Sequence, residues 1–466
     1  MAPPQVIPEI TTTTPTFDKE AVRRLTKKGV VTLIFDEKVY DVTKFMKFHP
    51  GGDHLIKTSA GTDVTEVMIA MHHKSILETK LPHYYIGDFR ENPLELIDPI
   101  KEKEVKRKKE LSKAYRELEE TLIADGIYEP NHRFYILESL KCILLFTTSI
   151  ALALYGPRHI LNFVVSGLLL TLMWQQGAFL VHDLAHRYAT FDAKFDYVVA
   201  VLFSNFCSGT SVGWWKHNHN IHHIITNDPE HDPDLQHMPF FAYSTKYFNS
   251  LYSYYYGREM TFDEAAKFMI SIQHYTFYII LMFARFNLYF QGINHLLTRP
   301  SPMPRLELAL TGSFFIWYPA LLSTFPDWTT RIVFVLITHC PQAILHLQLL
   351  LSHSFMPIES VGDDDFFIYR QLRTSIDIEC PEYMDWFHGG LHFQALHHLF
   401  PRVPRPHFRK LLVHIKKFCY DNELEHHSIT FTGGNFEMVR LLKDVADQVK
   451  LFAKVAKEAS QHGHIH

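Results

Sequence analysis

Histidine carries the candidate chemistry of this chain. Residues 217–228 read HNHNIHHIITND, and four of the first seven are histidine. With 31 histidines in 466 residues no single ring means much, so order and spacing must decide. His182 and His186 close HDLAH, His219, His222 and His223 form HxxHH, and His397 and His398 end QALHH. On a helix, positions i, i+3 and i+4 share one face, so each cluster can aim its rings at one point. Seven imidazoles are more than one tetrahedral zinc uses. Nitrogen-rich ligation suits iron, and seven rings can hold two ions. A pair of irons beside a membrane can activate dioxygen strongly enough to take hydrogen from an unactivated CH2. Asp183, Asp228, Asp232 and Asp234 lie near the clusters in sequence, where they can orient ligand N–H groups. Surface histidines on membrane-proximal helices are the plainer reading of the same residues.

A second candidate site lies upstream in FHPGGDHLIKTSAGTDVTEVMIAMHHKS, residues 48–75. Pro50-Gly51-Gly52 favours a tight turn beside His49. Short helices, with Thr62 or Asp63 as cap, should run up to His72-His73. Two imidazoles at opposite ends of such a pocket can hold a haem iron from both faces, which leaves it to pass electrons and not to bind oxygen. A surface turn and a surface histidine pair fit these residues too. A zinc hydrolase of the membrane fits the rear clusters, but it gives no reason for a haem in the same chain.

These residues need particular elements to position them. Strands are expected at 30–35 and 38–42 around a turn at Asp36-Glu37. Residues 101–126 are a mixed-charge run with helical periodicity, read as a solvated helix. From 135 the composition turns apolar. Residues 138–155, 160–181, 309–325 and 330–351 are long enough to cross a bilayer core. The stretches 192–207 and 266–288 carry Asp192, Lys194, Asp196, Asn205, Gln273, His274 and Arg285, and read as interfacial or re-entrant. Two crossings separate the first two histidine clusters from the third, so all three can meet on one side. The five cysteines are scattered, without a CxxC pair, which argues against a disulfide scaffold or a thiolate zinc site. A net charge of −4 gives no nucleic-acid footprint. No basic region followed by an apolar one opens the chain, so the front domain is expected in the cytosol. The organisation expected is a disordered lead (1–17), a haem domain (18–95), a charged linker (96–134), a membrane domain (135–445) and a flexible tail (446–466).

His49-Pro50-Gly51-Gly52 and the closing Tyr85-Ile86-Gly87 make residues 18–95 resemble the cytochrome b5 family. That resemblance implies a small α+β domain holding haem b between His49 and His73, with His72 at a variable position. HxxxH, HxxHH and QxxHH, in this order behind such a domain, resemble the front-end membrane desaturases over about 25–415. The resemblance implies a multidomain protein: the α+β haem domain, then an all-α membrane domain with four transmembrane helices and cytosolic histidine boxes. It implies two non-haem irons held by His182, His186, His219, His222, His223, His397 and His398. Gln394, where most histidine-box desaturases have histidine, marks the group with a fused haem domain. Such enzymes use at least one further ligand, and His353 in LLLSHS is the candidate. Electrons would come from NADH through cytochrome b5 reductase, with O2 as oxidant, at the endoplasmic reticulum membrane among membrane lipids.

The run RQLRTSIDIECPEYMDWFHGGLHF (370–393), with QALHH and LFPRVPR (399–405), resembles fungal sphingolipid 8-desaturases more than the fatty-acyl Δ5 and Δ6 enzymes. It implies a ceramide or sphingoid-base substrate and an 8,9 double bond. Asp377, Glu379, Trp386 and His388 are candidates for seating the polar head. A front-end fatty-acyl desaturase and a lipid hydroxylase share the same ligand set. A haem-bearing membrane anchor or electron carrier is the reading from another class.

Overall fold

The computed structural model describes residues 14–93, 97–187, 189–362 and 365–461. The chain divides into two compact units, the first ending at Arg116 and the second beginning at Glu117.

The front unit runs β1 (Thr16–Phe17), α1 (Lys19–Lys27), β2 (Thr32–Phe35), β3 (Lys38–Asp41), α2 (Asp53–Thr58), α3 (Thr65–Met71), α4 (Lys74–Thr79), β4 (Tyr85–Phe89) and the start of α5 (Pro99–Ala124). Its sheet has the order β1-β4-β3-β2, with β1 parallel to β4 and the other pairs antiparallel. Asp36 and Glu37 turn the β2–β3 hairpin with positive φ at both central residues, the twist that matches the flanking strands. Alternation then splits the side chains. Leu33 and Tyr40 join one core with Val42, Met46, Ile56, Val64 and Leu81, while Ile34 and Val39 pack with Val22 on the other face. Asp63 Oδ1 accepts from the Thr65 N–H at 3.0 Å and the Thr65 hydroxyl at 2.6 Å just before α3, whose N-cap is Val64 and not the Thr62 or Asp63 expected.

Three boundaries differ from those expected. Residues 14–17 are not all lead, because Thr16–Phe17 add an edge strand to β4; residues 1–13 lie outside the described residues. The front unit extends to Arg116, since α5 places Lys109 2.7 Å from Glu37 and Arg116 2.8 Å from Asp36. The tail is helical: α20 (Phe431–Gln461) continues through 446–461, and only 462–466 lie outside the described residues.

The rear unit is almost wholly helical. After the end of α5 come α6 (His132–Tyr155), α7 (Ile160–Ala185), α8 (Ala193–Val201) running into a π-turn at 202–206, and α9 (Val212–Ile224). A loop with the short pair β5 (Tyr252–Ser253) and β6 (Arg258–Glu259) leads to α10 (Glu264–Ser271), α11 (Gln273–Leu281) and α12 (Ala284–Thr298). Then follow α13 (Pro304–Ser323), α14 (Trp328–His339) and α15 (Ala343–Leu350). The last part is α16 (Phe367–Thr374), β7 (Asp377–Glu379), α17 (Asp385–His388), α18 (Gln394–Leu399), α19 (Phe408–Asp421), β8 (Ser428–Thr430) and α20.

Among the described residues, four stretches are long and apolar enough to cross a membrane: 132–155, 160–185, 304–323 and the nearly continuous 328–350. With no apolar driving force between helices in lipid, small residues and buried polar pairs must hold them. Ser149 and Ser166 exchange hydroxyl-to-carbonyl bonds of 2.7 and 2.8 Å between α6 and α7. The Thr171 hydroxyl donates to Ile337 O at 2.6 Å, tying α7 to α14. Of the two stretches expected to be interfacial, 266–288 divides among α10, α11 and α12, whereas 193–206 continues unbroken from α8 into the π-turn. Tyr275, Ile279, Phe283, Phe290 and Leu297 form the exposed apolar flank of α11–α12.

Candidate metal centre

Each histidine box sits where a helix or its cap fixes it. His182 lies in the last turn of α7, and His186 caps that helix. Ser211 starts α9 by accepting from the Trp214 N–H at 3.1 Å, and α9 carries His219, His222 and His223. His353 follows α15 by three residues, and α18 carries His397 and His398. The structure brings all eight together. Ligand nitrogens of His182, His186, His219 and His397 lie within 4.8 Å of one another, and so do those of His222, His353 and His398. His223 stands between the groups, its ring centroid 4.4 Å from His219, 4.6 Å from His397 and 4.3 Å from His398.

The donor set fits metal. Nε2 of His219 is 3.1 Å from Nε2 of His186 and 3.0 Å from Nε2 of His223. Two nitrogens bound at right angles to one ion, at about 2.1 Å each, lie about 3 Å apart. Nε2 of His182, Nε2 of His398 and both ring nitrogens of His397 are buried without a hydrogen-bond partner, a cost of about 1–3 kcal/mol apiece in a protein interior. Burial, then the neighbouring imidazoles, hold His186, His219, His223, His397 and His398 well below the usual imidazole range. Neutral rings are what a metal requires. His222 is the exception: burial opposes its charge, yet Asp232 and Asp234 push its pKa up to about 9. A cation at the second group therefore has to displace a proton there.

Partners on the far side of the rings set their orientation. His222 Nδ1–H donates to Asp232 at 2.9 Å, His398 Nδ1–H to Gln371 Oε1 at 2.8 Å, and His353 Nδ1–H to Thr374 O at 3.1 Å. Asp183 lies 3.4 Å from His182 Nδ1 and is itself held by Arg405 at 3.0 Å. Gln394 is buried and reaches the ring of His353. Asp228 does not take the role expected of it. It accepts from the backbone N–H groups of Glu230, His231 and Val361 and from the His231 ring, so it staples a loop. The four candidates for the polar head have these contacts. Asp377 binds His426 and the Ala395 N–H, Glu379 binds Ser428, Trp386 is exposed, and His388 packs on Gln348. Gln371 escaped notice because 27 residues separate it from His398, and no spacing rule joins α16 to α18. Asp232→Asn should lower iron occupancy about 10- to 100-fold at limiting iron, read as metal per purified chain.

In the front unit the turn at His49 is built as expected. Gly52 has φ +96°, and a Cβ on Gly51 would come within 2.8 Å of the His49 ring. The second imidazole is a correction: His72, not His73, faces His49, with ring centroids 6.1 Å apart. A metal–nitrogen bond of about 2 Å on each side, plus two ring radii, gives roughly 6 Å across a shared iron. His49 Nδ1 is 3.1 Å from Gly52 O and His72 Nδ1 is 3.3 Å from Met68 O, so both rings are anchored on the distal side. His73 turns outward and caps α4, accepting from the Ser75 N–H at 3.2 Å. The cause is the end of α3 at Met71, which leaves His72 on the pocket side and extends the chain at His73.

Fold and site define a multi-pass membrane oxidoreductase with its own haem domain. A model of the fatty acid desaturase family matches residues 158–430, and a model of the cytochrome b5-like haem/steroid-binding domain matches residues 18–90. The Delta 8-(E)-sphingolipid desaturase of Emericella nidulans is 33% identical, over 93% of this chain and 95% of the relative. The Delta(8)-fatty-acid desaturase 2 of Arabidopsis thaliana is 35% identical and the acyl-lipid (9-3)-desaturase of Borago officinalis 34%, each over 92% of this chain and 93% of the relative. The chain belongs to the fatty acid desaturase family, with a cytochrome b5-like domain fused in front. Haem, non-haem iron and O2 are the cofactors of that class.

Proposed function

We propose that this desaturase introduces an 8,9 double bond of trans geometry into the long-chain base of a ceramide. The observation that carries the desaturase chemistry is the meeting of seven imidazoles in two adjacent groups, with His223 between them, beside the ends of two membrane-capable stretches. The run 370–405 and the relative from Emericella nidulans support the sphingoid base. His182, His186, His219 and His397 are proposed as ligands of one iron, His222, His353 and His398 as ligands of the other, with His223 between them. His49 and His72 are proposed as the haem ligands. Held by these residues, the irons would supply O2 activation and the haem would supply electrons.

The chain's own residues do the rest. Asp232, Gln371 and Thr374 O hold three rings in the tautomer that turns Nε2 to the metal. Six of the eight rings are buried and His182 and His186 half-buried, which keeps bulk water from most of the reacting centre. NADH:cytochrome b5 reductase is the proposed electron donor. The proposed location is the endoplasmic reticulum membrane, with boxes and haem domain on the cytosolic side.

An acyl-lipid substrate is the second reading, favoured by the similarity to the Borago officinalis enzyme. Expression of the intact chain in a host lacking both activities separates them. A new 8,9 bond in the sphingoid bases, located by fragmentation, is the expected result. Unsaturation confined to fatty-acyl chains would establish the second reading, and oxygen retained in the product would indicate hydroxylation.

A further inference from the structure

Beside the second metal group lies a set of buried polar atoms that metal binding does not use. Tyr243 Oη, Ser354 Oγ, His237 Nδ1 and His346 Nε2 are all buried, and beyond the Tyr243 and Ser354 hydroxyls facing each other none has a hydrogen-bond partner. Tyr243 and Ser354 are at least 98% buried as whole residues. The four belong together. The rings of His237 and Tyr243 are 5.7 Å apart, the Tyr243 hydroxyl faces Ser354, and His237 and His346 lie within electrostatic reach of each other. They come from three places: the loop before α10, the last turns of α15, and the residue after His353. Proteins rarely leave such atoms unmet, because each forfeits its hydrogen bonds to water and gains nothing in return. Four in one spot mark a place shaped for a polar guest.

We infer that this cluster is the recognition site for the hydroxyl and amide groups of the sphingoid head, an inference that rests on the function proposed above. The chemistry of the wall selects the guest. The two hydroxyls both donate and accept, and each imidazole nitrogen does one or the other by tautomer, which suits a neutral head of hydroxyls and an amide. A phosphate or carboxylate head calls for fixed cations, and the one within electrostatic reach of His346 is already engaged. Arg285 donates to Ser208 O at 2.7 Å and to the Tyr289 hydroxyl at 3.0 Å, and lies over the Trp174 ring at 4.0 Å.

The position suits the bond to be formed. His346 precedes His353 by seven residues, about 10 Å at the helical rise. An extended saturated chain advances about 1.3 Å per carbon, so the eighth carbon lies about 9 Å from the first. A head held at His346 and Tyr243 puts the carbons to be oxidised beside the second metal group, and position is counted from that anchor.

Microsomes carrying the intact chain, supplied with NADH, test this with dihydroceramide and its 1-deoxy and 3-deoxy analogues as probes. The wild type should show a KM about tenfold higher for at least one deoxy analogue. Tyr243→Phe should raise the KM for dihydroceramide about tenfold and leave the KM for that analogue unchanged. Such non-additivity marks a direct contact. A share of the product should move off the 8,9 position, with iron and haem per chain unchanged. Ser354→Ala repeats the test if Tyr243→Phe does not accumulate. Equal effects on all three substrates, or an unchanged KM and bond position, would overturn the site while the proposed function stands. A wild type that acts only on fatty-acyl chains would overturn both.

Discussion

Replacing His397 by alanine is expected to abolish desaturation, with a fall of more than about 100-fold in product and a loss of iron per chain, while haem absorbance is unchanged. The size follows from where the ring stands. Its centroid is 4.5 Å from His182, 4.7 Å from His186 and 4.6 Å from His223, so it touches ligand candidates from both other boxes. Neither of its nitrogens has another partner in the fold. A buried imidazole with both nitrogens unmet, packed among other histidines, is what a metal ligand requires. Second-sphere partners such as Asp232 tune affinity by one or two decades, and a ligand should exceed that. Iron assay and product analysis on the same membranes check it. Full iron content in His397→Ala would remove His397 from the ligand set.

The second large effect separates two adjacent histidines. His72→Ala and His49→Ala should each eliminate the haem absorption band and the electron supply that depends on it, whereas His73→Ala should keep both. His72 faces His49 across 6.1 Å and is anchored through Nδ1 to Met68 O, while His73 is exposed and serves as a helix cap. Loss of that cap should cost His73→Ala about 1 kcal/mol of front-unit stability, seen as a lower Tm of the haem-loaded protein. The reverse pattern, haem lost in His73→Ala and kept in His72→Ala, would restore the pairing that motif matching implies. Two consecutive residues cannot both serve, because an extended backbone sends their side chains to opposite sides.

This pair shows where spacing stops being informative. A motif assigns a ligand by counting residues, and the count cannot see whether a short helix ends at Met71 or one residue later. One residue of helix turns a side chain by roughly 100°, enough to take a ring out of a pocket. Asp228 shows the same limit. It lies as near the second box in sequence as Asp232 does, yet the turn after α9 points one carboxylate at His222 and the other at the backbone of its own loop.

Much else was legible without coordinates. The box order, the period that puts His219, His222 and His223 on one flank of α9, and the four apolar stretches all depend on neighbours within about one helix length. So does the hairpin at Asp36-Glu37, and so does the turn that holds His49. These are local rules, and the chain obeys them. His353 was within reach because it directly follows a span on the side where the boxes lie.

What only the tertiary structure decided are pairings across long separations. Gln371 meets His398 through the packing of α16 on α18, and Thr374 O meets His353. Tyr243, Ser354, His237 and His346 meet although more than a hundred residues separate Tyr243 from Ser354. By itself the sequence determined which clusters can bind metal and that they can gather on one side of a membrane, because periodicity and span count are properties of the chain alone. Which nitrogen faces which partner, and where a lipid head can rest, depend on side chains delivered by different helices. Close packing fixes those positions to within about an ångström, and nothing along the chain encodes them at that scale.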